Sequence, residues 1–284
     1  MKISKGQKVF GVFNYILLTV LALLCLYPLW HVAMASLSDG GSLMKHRGML
    51  LKPTLFSLEA YELVFSDKLI YSGLANTLFL LAVGVSLQIL MTSMGAYFFS
   101  RSGVRFKRPL QLFCLFTMYF GGGTIPLYLT IKDLHLTESL WGCIIPFMIS
   151  TYNMIILRTA FESVPESLSD SARIDGAGHY TTLFKIVLPL SKASLAVITM
   201  YYALSVWNAW FWAATLISDE KKLPLQVIMR NKVVVDGNSA NQDVFAIEPM
   251  RNATIMISVI PILIAYPFVQ KHFAQGVMVG AVKG

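Results

Sequence analysis

A hydrophilic segment near the middle of the chain carries the residue types best suited to directional polar contacts. The stretch "DSARIDGAG", residues 170–178, lies between the apolar stretches "WGCIIPFMIS" and "SLAVITMYYAL". Asp170, Arg173 and Asp175 can form charged contacts with a partner. Ala172 and Ala177, with the glycines beside them, leave little side-chain bulk, so another backbone or a groove could approach closely.

The backbone of this segment is predicted to bend. Pro165 suits a helix start, and Ser169 is a candidate N-cap for the helix after it. Gly176 and Gly178 weaken a continuous helix, so we expect two short helices rather than one rod. The next residues, "LFKIVLPL", are amphipathic, and Pro189 fits the start of the following apolar helix. Two interpretations remain: an element that docks into a partner, and an amphipathic linker lying on a lipid surface.

Other chemistry has little support in the sequence. The chain has no phosphate-binding loop of the form Gly-x-x-x-x-Gly-Lys-Ser/Thr, and no Lys follows the glycine-rich "GGGTIP". Neither the cysteines nor the histidines have a metal-ligand or catalytic spacing. These residues are Cys25, Cys114, Cys143, His31, His46, His135, His179 and His272. We expect no catalytic residues, no metal, no cofactor bound by this chain, and no enzyme activity of its own.

The elements that position the polar segment are apolar. The chain is 56% hydrophobic and only 13% charged, whereas soluble domains have roughly 25% charged residues. A membrane-spanning helix needs about 20 apolar residues, and six stretches qualify: 10–35, 74–99, 110–131, 141–159, 193–217 and 252–270. The first has features of a signal peptide, but its apolar run exceeds the usual length of about 7–15 residues, so we expect a retained helix. The sequence predicts an all-α polytopic membrane protein with six transmembrane helices in a single transmembrane domain, residues 1–284.

Basic residues between the apolar stretches predict the orientation. The short loop "RSGVRFKR" between the second and third stretches has four basic residues and no acidic one. Short loops rich in Lys and Arg stay in the cytoplasm, which places both termini there. Residues 161–189 then lie in the cytoplasm between the fourth and fifth spans, and residues 218–251 form an extracytoplasmic loop.

The polar segment resembles the EAA loop of ABC importer permeases. The resemblance rests on the spacing of Asp170-Ser171-Ala172, then Gly176, then "IVLP". The longer string "SARIDGA…F.KIVLPL" is similar to the carbohydrate branch, which includes the maltose permease. Asp and Ser stand where the family usually has Glu and Ala. Further similar stretches cover nearly the whole chain: "FSLEAYELVF", "GAYFFSR", "GGGTIPLYL", "WNAWF" and "AQGVMVGAVKG".

The resemblance implies a type I ABC importer permease in the bacterial cytoplasmic membrane, taking up oligosaccharides with an extracytoplasmic binding protein. Partners would be a second homologous permease, two ATPase subunits, the binding protein and membrane lipid, but no nucleic acid. ATP and Mg would bind the ATPases. The resemblance assigns ATPase coupling to Asp170, Ser171, Ala172, Arg173, Asp175, Gly176, Ala177 and Pro189.

Uncharged polar and aromatic groups within the apolar stretches are candidates for a substrate pathway. Sugar hydroxyls pair with amides, and sugar C–H faces pack on aromatic rings. Such groups are Asn76, Gln88, Tyr119, Asn153, Tyr201, Tyr202, Trp207 and Asn208, and the candidates that we single out are Asn76, Tyr119, Asn153, Tyr201, Trp207 and Asn208. An aromatic belt or ordinary packing would explain each of them equally well. Gly121, Gly122 and Gly123 could break the third helix along the pathway, or allow close helix packing.

The long outer loop and its resemblance suggest the remaining contacts. In maltose-type importers the corresponding loop reaches toward the docked binding protein. This implies contacts for Asp236, Asn238, Asn241 and Asp243, although a solvated connector would have the same composition. The substrate we expect is an oligosaccharide, with alginate- or pectin-derived, uronate-containing sugars foremost.

Two other classes of protein remain as alternatives. A self-contained secondary carrier or channel for a small polar solute would need no ATPase. Such carriers commonly have ionisable groups within the membrane, and no Asp, Glu, Lys or Arg lies near the centre of a predicted span. A membrane-embedded enzyme would need a catalytic cluster, and the scattered histidines supply none.

Overall fold

The computed structural model describes residues 5–234 and 244–281, and these residues fold almost entirely as helices. The N-terminal part contains α1 (Lys5–Ser36), α2 (Gly40–Lys45), α3 (Glu59–Ser66), α4 (Lys68–Phe79) and α5 (Val85–Ser100). The middle contains α6 (Lys107–Tyr119), α7 (Thr124–Asp133), α8 (Thr151–Glu162), α9 (Glu166–Ile174), α10 (His179–Thr182) and α11 (Leu188–Leu190). The C-terminal part contains α12 (Lys192–Asn208), α13 (Phe211–Leu216), α14 (Leu225–Val234) and α15 (Val244–Ala281). Within the described part of the chain there is no strand, and Ser38 and Phe56 form an isolated bridge.

Among residues 5–234 and 244–281, three helices are long and apolar enough to cross a membrane: Gly6–Ser36, Lys68–Ser100 and Ile247–Ile264. Three further pairs of helices meet the same criterion as bent pairs, which raises the number to as many as six. The pairs are Lys107–Tyr119 with Thr124–Asp133, Leu140–Phe147 with Thr151–Glu162, and His179–Leu190 with Lys192–Asn208. The all-α prediction and the prediction of several apolar spans therefore agree with the structure.

Several stretches that the sequence predicts as continuous helices are interrupted. The stretch 110–131 is broken at residues 120–123 and bends by 112°. An added Cβ would meet nothing within 4 Å at Gly121 and only Pro126, in ordinary contact, at Gly122 and Gly123, so close packing against another helix of the described chain does not account for these glycines. The stretch 193–217 is divided between α12 and α13, with a break at Ala209 and Trp210.

Two π-helical turns lie inside otherwise regular helices. Leu80–Gly84 joins α4 to α5, and Leu183–Val187 joins α10 to α11. Such turns are rare and occur frequently at functional sites. The first of them borders a cavity, and the second follows the polar segment directly.

The described residues group into two compact units, one within residues 1–70 and 229–261, the other within 71–228 and 262–284. In the first unit, Ala35, Leu43 and Leu50 form a small core. The side chain of Trp30 donates a hydrogen bond to the carbonyl of Leu51 (3.1 Å), and Lys232 pairs with Asp67 at 2.6 Å. Nearly all of the apolar side chains of α1 before residue 27 are exposed.

The second unit contains the larger core. Its fully buried members include Leu157, Phe161, Val187 and Ile198, which come from α8, α12 and the second π-helical turn. Between helices in a membrane, such side chains contribute through close van der Waals packing rather than through removal from water. Tyr202 of α12 also belongs to this core. The core therefore joins α8, which precedes the polar segment, to the second π-helical turn and α12, which follow it.

Candidate functional site

The helix α9 ends in a complete Schellman motif. The Gly176 N–H donates to the carbonyl of Arg173 (3.1 Å), and the Ala177 N–H donates to the carbonyl of Ala172 (2.8 Å). Gly176 has a φ of 80°, a left-handed conformation that glycine adopts without a Cβ penalty. The predicted pair of short helices with a bend at Gly176 is confirmed, with α10 beginning after Gly178.

The start of α9 differs from the prediction. Pro165 occupies the N-cap position and makes no side-chain capping bond. The prediction that Ser169 is an N-cap is wrong, because Ser169 lies inside α9 and is buried. Its hydroxyl accepts a hydrogen bond from Arg101 instead.

One face of α9 is exposed and the other packs against the chain. The side chains of Asp170 and Arg173 are both more than half exposed. Three residues apart on α9, they form an ion pair in which Asp170 Oδ1 lies 3.8 Å from Arg173 Nη1. Such an exposed pair contributes little, on the order of 0–1 kcal/mol. Ala172 is only 8% exposed, so its small side chain packs within this chain. Ser171, Asp175 and Gly176 are exposed, Ala177 is half-buried, and Pro189 is exposed within α11.

The helices α9 and α10 also expose apolar residues that the sequence pattern did not single out. Ile174 is 88% exposed, Tyr180 is 68% exposed and Leu168 is 43% exposed. Their signal in the sequence is weak, since a single Ile at the end of a polar helix is common. Exposed apolar side chains beside charged ones are typical of a surface that a partner covers.

Arg101 attaches this segment to the rest of the second unit. Its guanidinium donates to the Ser169 hydroxyl (2.9 Å) and to the carbonyl of Phe161 (3.3 Å). It also lies 4.9 Å from the centre of the Tyr97 ring. The neighbouring Ser102 donates to Glu166 at the start of α9. The loop after α5 therefore holds α9 through directional contacts at both its start and its middle.

A cavity of about 330 Å³ lies among α5, α8, α12 and the first π-helical turn. Its polar lining includes Gln88, Ser150, Asn153, Tyr202 and Ser205. The Tyr202 hydroxyl accepts from the Ser150 N–H (2.9 Å) and lies 2.6 Å from the Thr92 hydroxyl. The Gln88 amide donates to the carbonyl of Phe147 (3.1 Å), while its Oε1 has no partner within the described chain. Amides and hydroxyls beside apolar walls can bind a polyhydroxylated ligand.

The structure brings one of the predicted pathway residues, Asn153, to this cavity. The side-chain amide of Asn76 donates hydrogen bonds to the carbonyls of Lys221 (2.8 Å) and Leu223 (3.1 Å). Asn208 donates to the carbonyl of Leu204 (2.8 Å) in its own helix. Tyr119 is 74% exposed near the glycine break.

Two further candidates, Tyr201 and Trp207, lie in α12 outside the lining of the cavity and are half-buried and buried respectively. Gln88 and Tyr202 do line it, and their signal was present in the sequence as polar groups within apolar stretches. The predicted loop contacts, Asp236, Asn238, Asn241 and Asp243, lie outside the described residues.

Glu138 holds the segment that comes directly after α13. Its carboxylate accepts hydrogen bonds from the Ser218 N–H at 3.0 Å and from the Asp219 N–H at 3.4 Å. Hydrogen bonds from the side chain and backbone of Ser218 hold the pKa of Glu138 below its usual value. Lys222 donates to the carbonyl of Glu138 (3.3 Å).

These helices, the bent apolar pairs and the polar segment between them define a membrane transport subunit. The family model "Binding-protein-dependent transport system inner membrane component" matches residues 89–279. The chain belongs to this family.

Relatives of known description extend over the full chain. It is 37% identical to the polygalacturonan/rhamnogalacturonan transport system permease protein YtcP of Bacillus subtilis (strain 168), covering 98% of this chain and 99% of the relative. It is 34% identical to Protein LplC of the same organism, covering 99% and 97%.

Solved structures that resemble this chain also come from ABC transporters. The structure of a bacterial ABC transporter involved in the import of the acidic polysaccharide alginate has a chain that is 36% identical, with a TM-score of 0.89. The match covers 96% of this chain and 99% of that one. A second alginate transporter chain, 14% identical with a TM-score of 0.60, shares the fold.

Proposed function

We propose that this chain is the permease subunit of an ATP-driven importer of acidic oligosaccharides. The observation that carries the substrate class is the agreement between two relatives above 30% identity. One belongs to a polygalacturonan/rhamnogalacturonan transport system and the other to an importer of alginate. Both names refer to acidic polysaccharides, and both matches cover nearly the whole chain.

The exposed face of α9 is the surface that docks into an ATPase subunit. Asp170, Arg173 and Asp175 supply charges around Ile174, and Gly176 ends the helix so that this face can enter a cleft. The bracing of α9 by Arg101 supports this role, because a docking element must transmit force to the helices behind it. ATP and Mg bind the ATPase in this mechanism, and the permease itself is not a catalyst.

The chain spans the bacterial cytoplasmic membrane six times, with both termini in the cytoplasm. The basic loop at residues 101–108 and the three bent helix pairs support this topology. Single cysteines at Glu220 and Gly178 test it, in a background without Cys25, Cys114 and Cys143. An impermeant thiol reagent added to spheroplasts should label position 220 at once and position 178 only after permeabilisation. The reverse pattern would refute the orientation.

The importer contains this chain, a second homologous permease, two ATPase subunits and an extracytoplasmic binding protein. Segment 218–251 meets the binding protein, with its contacts centred on Asp236 to Asp243. The cavity beside Asn153 and Tyr202 contributes polar groups to the pathway. Its amide and hydroxyl lining supports a substrate with many hydroxyl groups.

Transport by the reconstituted assembly tests the function. The tagged chain, purified from its native membrane with its associated subunits, should drive ATP-dependent uptake of oligogalacturonides or oligoalginates when binding protein is present. Neutral maltodextrins should be taken up more slowly. The Asp170→Lys variant should reach normal membrane levels but lose uptake, because it reverses a charge on the docking face.

Flux through the purified chain alone, without ATP or other subunits, would instead identify a self-contained carrier or channel. Full coupled transport by the Asp170→Lys variant would contradict the docking role of α9. Preference for neutral sugars would contradict the substrate class and leave the importer function standing.

A further inference from the structure

A second cavity, of about 680 Å³, lies where the end of α5 meets α9 and α10. Its lining has an apolar part, which includes Met94, Phe98 and Leu183 and is called the apolar wall, and a basic part, which includes Arg101, Arg173 and His179. Phe98 is 40% exposed, so the apolar wall reaches the surface of the chain. This cavity is separate from the one near Tyr202.

The positive charge of Arg101 forms no ion pair with a carboxylate of the described residues. Its hydrogen bonds there go to the Ser100 and Ser169 hydroxyls and to the Phe161 carbonyl, which are all neutral acceptors. A guanidinium has five N–H donors, so these three bonds leave donors for an anion. Arg173 faces the same cavity, and its carboxylate neighbour Asp170 is 3.8 Å away on the exposed surface.

The position of the cavity along the membrane normal follows from α5. The apolar helix Lys68–Ser100 ends at the cavity, and the loop "RSGVRFKR" begins there with four basic residues and no acidic one. The boundary between hydrocarbon and water belongs at such a junction. Clusters of Lys and Arg at this level attract anionic lipid headgroups.

We propose that this cavity binds an anionic phospholipid. Its phosphate lies between Arg101 and Arg173, and an acyl chain lies along Phe98 and Leu183. A free phosphate would satisfy the arginines but would leave the apolar wall uncovered, so the lipid is the occupant that fits both parts of the lining. The lipid would come from the cytoplasmic leaflet. This assignment of the leaflet is the one part of the inference that rests on the orientation given under the proposed function.

Lipid retention measured by native mass spectrometry tests the proposal. The full-length chain, purified from membranes in the assembly that it forms, is transferred to micelles containing phosphatidylglycerol or phosphatidylcholine. We expect phosphatidylglycerol to be retained preferentially. Arg173→Gln should lower its retention about fivefold, the effect of removing one basic group beside an anionic headgroup. Arg173 is exposed, so its loss should leave the fold intact. Because Arg173 also lies on the proposed docking face, lipid retention is compared only between assemblies that keep both ATPase subunits, which the same mass spectra identify.

Arg105→Gln and Arg108→Gln provide the control, because each removes one positive charge from the basic loop 101–108 beside the cavity but outside its lining. An equal loss in these variants would show general surface attraction and overturn the proposed site. Equal retention of the two lipids would overturn it as well.

Two more measurements identify the occupant. Phe98→Ser should also lower phosphatidylglycerol retention, since it removes part of the acyl-chain wall. Displacement of the lipid by millimolar glycerol phosphate would assign the cavity to a soluble anion and refute the lipid. These assays need no transport, so they can fail while the importer function stands, and the reverse also holds.

Discussion

Gly176 is the residue of segment 170–178 whose backbone conformation is most demanding. An added Cβ would meet no atom within 4 Å in this chain, so a substitution acts through the left-handed backbone. An alanine in that conformation costs about 1–2 kcal/mol. Gly176→Ala should therefore loosen the end of α9 and reduce both the co-purification of ATPase subunits and substrate-stimulated ATP hydrolysis.

Gly178 offers the matched control for this prediction. Its φ is −76°, and an added Cβ would again meet nothing within 4 Å. Gly178→Ala should retain coupling, and both variants should reach normal membrane levels. Equal losses in the two variants would show that backbone strain is not the cause.

The hydrogen bonds of Arg101 should stabilise the folded conformation of α9. Arg101→Gln removes charge-assisted hydrogen bonds, each contributing about 1.5–3 kcal/mol. Amide hydrogen exchange in residues 166–174 should become faster, while exchange in α12 stays unchanged. Arg105→Gln, in the same loop and exposed, should leave α9 protected. Unchanged exchange in the Arg101 variant would mean that other contacts hold the helix.

The sequence predicted the bend at Gly176 but not the contacts of Arg101. A glycine that ends a helix acts locally, through its own φ and two hydrogen bonds within five residues. Arg101 meets partners 60 and 68 positions away in the chain, and no local pattern encodes such a distance. The basic loop that contains Arg101 predicted the orientation of the chain in the membrane, but it did not predict the contacts of the Arg101 side chain.

At the scale of the helices, Tyr202 joins three elements. Its hydroxyl satisfies the N–H of Ser150 at the start of α8 and contacts Thr92 of α5. Tyr202→Phe leaves that N–H without its partner, at a cost of about 1–3 kcal/mol. The unfolding temperature of the purified protein should fall. Tyr152→Phe, at a site that is 56% exposed, should leave it unchanged, and equal shifts would argue against the hydrogen bonds.

The contact between Glu138 and the segment after α13 should depend on pH. Because the pKa of Glu138 is lowered in the folded chain, its contribution is complete above the usual value of about 4.3. It is lost as the pH falls through the lowered value. Protection of the Ser218 and Asp219 amides, corrected for intrinsic exchange, should follow this course.

Glu138→Gln should reduce that protection at neutral pH, whereas Glu220→Gln should not. A protection that is independent of pH in the unmodified protein would show that the carboxylate does not hold the segment.

Apolar length predicted where helices occur but not where they break. The glycines at 121–123 indicate one break in the sequence. Pro146 lies just before another, the one between Leu140–Phe147 and α8. The break at Ala209 and Trp210 has neither glycine nor proline, so nothing in its composition distinguishes it from continuous helix. Residues at two of these interruptions, Ser150 and Ala209, line the cavity, and of the six pathway residues that the sequence singled out only Asn153 does.

At the scale of the whole molecule, the family and the fold followed from the sequence because the EAA-like spacing and the apolar stretches extend over most of the chain. The assembly remains to be measured. We expect native mass spectrometry of the purified importer to give one copy of this chain with one second permease and two ATPase subunits. A homodimer of this chain that transports oligosaccharides would contradict the expected pairing.

The π-helical turn at Leu80–Gly84 makes the composition of the cavity depend on chain length. A π-turn accommodates one residue more than an α-turn, and each residue advances a helix by about 100°. Deleting Val83 would let α4 and α5 join as uninterrupted α-helix and would rotate everything beyond it by that angle relative to α4. Gln88 and Thr92 would then point away from Phe147 and Tyr202 without any change in their identity. The inserted residue thus fixes the rotational orientation of α5 about its axis, and a change in the number of residues there would alter the cavity lining more than most substitutions within it.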